Sequence, residues 1–290
     1  MVTAIIFSKD RACQLDLLLR SLRENSSLNW NPHVLYDYSS EDFKDGYDKL
    51  ILEYPNVSFI KQISFKGDLT AILGECEEYI AFFTDDDVLY RGCDLNIQDI
   101  RKLFEKHNPI SLSLRLGCNT IIQDPYTGEK SYTPHNKTSF AGKFIVWDIK
   151  HVHNYNIVEI NGQQGKYYHA CNFTMPVSLD GHIYKKKTLV PLLVNLEYYT
   201  PNMLELAMCK QPISNYNNTT MSSLHHSCVV NSPNNKVQTE SETNFGERFP
   251  MSCELMNQKY LEGYYINLEK IYEEKIIGCH QELPMELIKK

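Results

Sequence analysis

The chain reads as an α/β protein: a mostly parallel, twisted sheet with helices on both faces, followed by a smaller mixed C-terminal extension. Apolar runs of strand length recur at residues 2–7, 34–36, 57–60 and 80–83. The stretches between them carry leucine and isoleucine at helical spacing, bordered by polar turns. Strands alternating with helices in this way build parallel units, because a parallel neighbour needs a crossover that returns the chain to the same end of the sheet.

Val2 to Phe7 forms the first run, and Ser8-Lys9-Asp10-Arg11 breaks it before Leu15, Leu18, Leu19 and Leu22 mark one face of a helix. Val34-Leu35-Tyr36 is a second short strand ending in Asp37-Tyr38-Ser39-Ser40. A helical stretch around Tyr47 to Glu53 leads to a third strand, Val57-Ser58-Phe59-Ile60. Phe65-Lys66-Gly67-Asp68 then opens a helix with Leu69, Ile72 and Leu73 on its apolar side. The fourth strand, Ile80 to Phe83, runs into Asp85-Asp86-Asp87 and resumes as Val88-Leu89.

A helix with Ile97, Ile100 and Phe104 stops near Asn108-Pro109, and Ile110 to Leu116 alternates like a strand. Gly117 to Gly142 is polar and holds Pro125, Gly128 and Pro134, which predicts a long loop or lid over the site. Phe144 to Trp147 is a further strand, and Tyr167-Tyr168-His169 and Val177-Ser178-Leu179 are expected as strands around Asp180-Gly181-His182. Leu189 to Leu196 is helical, and Thr200-Pro201 starts another helix with Leu204, Leu206 and Met208. Residues 211–249 turn to Asn, Ser, Thr and Pro, so the main domain is placed at 1–210 and a wrapping segment with helices at 211–290.

With 29 basic and 36 acidic residues the net charge is −7, which argues against nonspecific binding to nucleic acid or anionic membranes. Nine cysteines without a C-x-x-C pair form neither a disulfide framework nor a zinc site, and a reducing, cytoplasmic location is expected. The N-terminal apolar run meets charge too early for a signal peptide, and no later run is long enough to span a bilayer.

Three adjacent carboxylates where a buried strand reaches the surface repel one another, and a divalent cation or a bound partner relieves that repulsion. Hard oxygen ligands suit Mg2+ or Mn2+, which take part of their shell from substrate phosphates. A nucleotide-diphosphate substrate follows as the first hypothesis. The turn after the first strand lies at a helix N-terminus, where α/β folds hold phosphates or a base.

Ala4-Ile-Ile-Phe-Ser-Lys-Asp-Arg11 before a leucine-rich helix, together with Phe83-Thr-Asp-Asp-Asp87, resembles a GT-A fold glycosyltransferase of the family-two-like kind with an Asp-x-Asp motif; the match covers roughly the first 115 residues. The resemblance implies a Rossmann-like fold, a nucleotide-diphosphate sugar as donor, and a carbohydrate or other hydroxyl as acceptor. Carried over, Asp85 and Asp87 hold the metal with Asp86 between them. Ser8, Arg11, Asp37, Lys66 and Asp68 line the base and ribose pocket together with Asp85 and Asp86. The chain departs from the family in having Tyr36-Asp37-Tyr38 where an acidic pair is usual, and it lacks a Glu-Asp or Gln-x-x-Arg-Trp signature in its second half.

Direct, inverting transfer needs a carboxylate to take the acceptor proton. Glu205, in the first turn of the helix begun by Thr200-Pro201, is the preferred base on helix-dipole grounds, with Asp180 as the other candidate. His182 and His280 are candidates for a third metal ligand, whereas His225-His226 lies in the polar segment without a role. Two other readings remain. A nucleotidyltransferase also uses metal-bound carboxylates but would show a glycine-rich loop after the first strand, and a non-catalytic carbohydrate-binding protein would keep the fold without turnover. The sequence does not fix the oligomeric state.

Overall fold

The computed structural model describes residues 1–124, 129–131, 133–151, 157–160, 163–166, 172–211, 215, 218–235 and 246–289. Strands β1 (Val2–Lys9), β2 (Trp30–Asp37), β3 (Ser58–Lys61) and β4 (Tyr79–Thr84) pair in parallel in the order β3-β2-β1-β4. Every residue of β1 except Lys9 is buried. That pattern belongs to a parallel strand covered on both faces. Its alternate residues feed two separate cores. Val2, Ala4 and Ile6 pack with helix α1 (Ala12–Asn25), while Ile5 and Phe7 pack with helix α3 (Phe65–Glu75), the Phe7 and Phe65 rings lying 5.3 Å apart.

Helix α2 (Glu41–Glu53) is capped by Ser40, whose hydroxyl accepts from the Phe43 N–H. Helix α4 (Ile97–His107) begins with a reciprocal cap between Asn96 and Asp99 and ends at Asn108 in the left-handed region (φ 44°). Beyond β4 the sheet becomes mixed. The strand His182–Lys185 runs antiparallel to β4 and to β6 (Leu112–Ser113); the sheet continues through Thr220–Leu224 and Phe144–Asp148 to an edge strand, Thr138–Phe140. The short strand β5 (Asp87–Leu89) leaves this sheet to pair with Val229–Asn231.

The polar segment after residue 211 contributes more than a wrapping. Thr220–Leu224 lies inside the main sheet, with Ser222 and Ser223 fully buried and the Ser222 hydroxyl donating to the Ser111 carbonyl at 2.9 Å. Helix α7 (Cys253–Leu261) packs on α1 and α2. The stretch expected to be a lid holds strand structure at both ends. Ile122–Asp124 pairs with Glu129–Lys130, Thr138–Phe140 joins the sheet edge, and the Ile121 and Ile122 N–H groups bond the Ile277 carbonyl. The tip at 125–128 and the strand expected at Tyr167–His169 lie outside the described residues. Val177–Leu179 is a buried irregular segment, because its backbone spends its donors on side chains: Ser178 N–H on the Tyr184 hydroxyl and Leu179 N–H on Glu205. Helices α5 (Lys186–Val194) and α6 (Pro201–Cys209) follow, the second capped by Thr200 with Pro201 at its first position. Among the described residues, no helix is long and apolar enough to cross a membrane.

Candidate active site

In the order β3-β2-β1-β4, the chain adds strands outward in one direction from β1 and then returns to its other side. The C-terminal ends of β1 and β4 therefore flank the crevice where open α/β sheets bind ligands. The turn after β1 and the acid triplet after β4 meet there. Arg11 Nη1 lies 3.0 Å from Asp85 Oδ1 and 2.9 Å from Asp86 Oδ2, and the Lys9 N–H donates to Asp85 Oδ2 at 3.0 Å. Arg11 also donates through Nη2 to the Asn235 carbonyl. Its turn is pinned from behind: Tyr47 OH contacts Ser8 Oγ at 2.7 Å and accepts from the Arg11 N–H, while Asp10, at φ 56°, accepts from the Ser39 N–H.

Asp86 spans both sides of this group, whereas Asp87 lies wholly on the side away from Arg11. Asp86 Oδ1 accepts from Thr84 Oγ1 at 2.8 Å and from Asn231 Nδ2 at 2.9 Å. Asp87 has no exposed surface; its Oδ2 takes the Thr84 N–H at 3.0 Å and its Oδ1 lies 3.3 Å from Asn231 Nδ2. Asp180 joins this group, with Oδ1 3.1 Å from Thr84 Oγ1 and Oδ2 2.7 Å from Arg115 Nη1. Arg115 Nη1 is also 2.9 Å from His280 Nε2, and His280 Nδ1 is 3.1 Å from Asn231 Oδ1. Glu205 lies one step further out, accepting the Leu179 N–H at 3.1 Å.

Charge is unevenly balanced across these groups. Burial, with Asp86 adding and Arg11 opposing, raises Asp85 to about 6. Burial and the repulsion of Asp180 and Asp86 push Asp87 well above the usual carboxylate range. Glu205 is raised by burial and by Asp180. His280 is lowered to about 4 by burial and Arg115, so it is neutral at physiological pH.

The expected base and ribose pocket is assembled only in part. Ser8 and Arg11 lie at the crevice, but Asp37 pairs with Lys61, and Lys66 pairs with Glu197 at 3.2 Å. Asp68 caps its own helix, accepting from the Ile63 and Ser64 N–H groups at 2.7 and 2.8 Å. Lys66 lines a separate cleft with Gln62, Ser64, Thr70 and Tyr199. His182 is fully buried on its strand, and neither ring nitrogen has a hydrogen-bond partner among the described residues. Three site groups escaped the sequence reading: Thr84, Arg115 and Asn231. Thr84, directly before the triplet, was the one with a local signal.

The fit to a divalent cation differs from residue to residue. Asp85 is engaged by Arg11 and a backbone amide, His182 is enclosed in the sheet, and His280 directs Nε2 at Arg115. Asp87 and the Oδ1 side of Asp86 remain, the Asp86 Oδ2 being met by Arg11 at 2.9 Å. They are hard oxygen donors beside Asp180; burial first, and then the repulsion of Asp180 and Asp86, raises the Asp87 carboxyl, and a cation would relieve the repulsive part. Among the described residues no three His, Cys, Asp or Glu side chains are grouped as metal ligands, so substrate oxygens and water would complete the shell.

Fold and site together define an α/β protein with a carboxylate-rich crevice at its switch point. No family model matches the chain. It is 28% identical over 163 residues to the bifunctional glycosyltransferase pgtA of Dictyostelium discoideum, over 51% of this chain and 21% of that protein. The chain thus spans about a fifth of the length of this curated relative. Among solved structures, residues 1–349 of S. aureus TarS align at 14% identity with a TM-score of 0.45, covering 79% of this chain and 59% of that one. The same TarS segment in complex with UDP aligns at 14% identity with a TM-score of 0.46, covering 81% and 62%.

Proposed function

We propose that the protein is a metal-dependent glycosyltransferase of the GT-A kind that moves a sugar from a nucleotide-diphosphate sugar to a hydroxyl acceptor with inversion. The observation that carries this reading is the convergence of Arg11, the acid triplet and Asp180 at the C-terminal ends of β1 and β4. The similarity to pgtA over half of the chain supports the same class.

In this reading the turn after β1 receives the nucleotide, and Arg11 exchanges part of its contact with Asp85 and Asp86 for the diphosphate. Asp86 and Asp87 would hold a divalent ion, which would supply charge neutralisation for the leaving diphosphate. We assign the general base to Asp180 rather than to Glu205. Glu205 Oε1 is spent on the Leu179 N–H and so positions the segment that carries Asp180, whereas Asp180 reaches Thr84 beside the triplet. The single Thr84 hydroxyl proton can go to Asp86 or to Asp180, and when it goes to Asp86 a lone pair of Asp180 Oδ1 is free to accept a proton. The acceptor oxygen then bonds the sugar carbon, its proton passes to Asp180, and the electron pair of the broken C–O bond leaves with the nucleotide diphosphate. Residues 1–210 carry the donor and acceptor groups, and 211–290 complete the site with Asn231 and His280.

Thermal denaturation with a panel of nucleotide sugars, with and without Mn2+, tests the reading. A cognate donor at 100 times its Kd stabilises by about 2.7 kcal/mol. Stabilisation by nucleoside triphosphates alone would favour a nucleotidyltransferase. Stabilisation by free glycans, without nucleotide or turnover, would favour a carbohydrate-binding protein.

A further inference from the structure

Five side chains from five separate segments close into a ring: Asp180, Arg115, His280, Asn231 and Thr84. Around it, Asp180 Oδ2 meets Arg115 Nη1 at 2.7 Å, Arg115 Nη1 meets His280 Nε2 at 2.9 Å, and His280 Nδ1 meets Asn231 Oδ1 at 3.1 Å. Asn231 Nδ2 donates to Thr84 Oγ1 at 3.1 Å, and Thr84 Oγ1 returns to Asp180 Oδ1 at 3.1 Å. The backbone fixes the same neighbours, since Asn231 pairs with Asp87 on one side and bridges His280 on the other.

Chemistry assigns the direction of four of the five bonds; the fifth follows the Thr84 hydroxyl proton, which serves Asp180 or Asp86. A guanidinium only donates, so His280 Nε2 is an acceptor and carries no proton. Its proton is then on Nδ1 and is donated to Asn231 Oδ1. This turns the Asn231 amide so that Nδ2 faces Thr84, Asp86 and Asp87, as observed. A cation bound through His280 Nε2 would have to displace Arg115 from that nitrogen.

We infer that His280 and Arg115 are positioning residues that orient Asp180 toward the acceptor, with Asn231 tying that carboxylate to the donor-side acids, and that His280 is not a metal ligand. The role given to Asp180 rests on the glycosyltransferase reading; the ring and its tautomer do not. Arg115 fixes one oxygen of Asp180, which leaves the other to the Thr84 hydroxyl or to the acceptor. The C-terminal residues thereby couple the two halves of the crevice.

Two measurements test this on the full chain. In 15N-resolved NMR of the imidazole, His280 should show a protonated Nδ1 and an unprotonated Nε2 in the absence of any substrate. The opposite tautomer overturns the ring. In transfer assays, His280→Phe should lower kcat by about 10- to 100-fold, the scale for losing an outer partner of a site, with donor KM and Mn2+ affinity little changed. His280→Gln should recover most of kcat, because an amide can accept from Arg115 and donate to Asn231. A loss of Mn2+ affinity in both variants overturns the positioning role in favour of metal ligation. A wild-type protein with the expected tautomer and no transfer from any nucleotide sugar overturns the role of Asp180 and the proposed function, not the ring. Matching far-UV circular dichroism of both variants guards against misfolding.

Discussion

Arg11 and Asp85, 74 residues apart in sequence, meet at 3.0 Å with side chains only 7% and 5% exposed. The contact joins the turn after β1 to the turn after β4, and it is nearly dry. Removing one partner of such a pair strands the other charge, which costs about 3–5 kcal/mol. Arg11→Met should therefore destabilise by that amount in urea denaturation, and Arg11→Met combined with Asp85→Asn by clearly less than the sum of the single changes. Additive effects would show that the two groups do not depend on each other.

Asp87 is the acid whose charge is least matched. Asp87→Asn removes the repulsion from Asp180 and Asp86 while preserving an acceptor for the Thr84 N–H. The variant should fold with undiminished Tm in chelator-treated buffer and lose Mn2+-dependent donor binding in calorimetry. Unchanged donor affinity with and without metal would remove the main support for a metal-assisted site.

The two base candidates separate by conservative substitution. Asp180→Asn should lose transfer by about 10²-fold or more, the usual scale for a general base. Glu205→Gln keeps an oxygen for the Leu179 N–H and should stay close to wild type, while Glu205→Ala should lower kcat by loosening the Val177–Asp180 segment. A Glu205→Gln variant as impaired as Asp180→Asn would return the base to Glu205.

His182 gives a prediction about acid stability. Burial, reinforced by Arg115, holds its pKa well below the ordinary 6.5. Below pH 6.5 the unfolded chain binds a proton that the folded protein refuses, so stability falls as pH drops and levels off above that value. Both ring nitrogens are unpartnered among the described residues, and a buried polar group without partners costs about 1–3 kcal/mol. His182→Phe should flatten the loss of Tm between pH 6.5 and 4.5 without lowering Tm at pH 7.5. A steeper acid loss in this variant would mean that the histidine is satisfied in solution.

Local pattern made the β1-to-β4 part legible, because these strands are apolar runs and the first three are each followed by a helix with an apolar face. The acid triplet was visible for the same reason, as charge abutting a buried strand. Thr220–Leu224 was hidden: Ser222 and Ser223 look like loop residues, yet each is buried in the sheet. Their hydroxyls are satisfied by the carbonyls of Ser111 and Leu224, so burial carries no unpaired polar group. Lys66 and Asp68 fit a base pocket by type, but the helix start claims Asp68 and Glu197 claims Lys66. Arg115 and Asn231 had no local signal, and His280 stood out only by residue type as a possible metal ligand, since the meaning of all three arises from contacts made 49 to 165 residues apart.

The placement of Thr220–Leu224 between β6 and Phe144–Asp148 sets the order in which the molecule can assemble. Two strands already made must wait for a third that begins 107 residues after the end of one and 72 after the end of the other. Until it arrives, both expose unpaired backbone edges, and the ring through Asn231 and His280 cannot close. Such long-range closure slows folding and leaves the intermediate prone to association through those edges. A chain stopped at residue 210 would thus be a candidate for chaperone capture rather than a smaller working version of the protein.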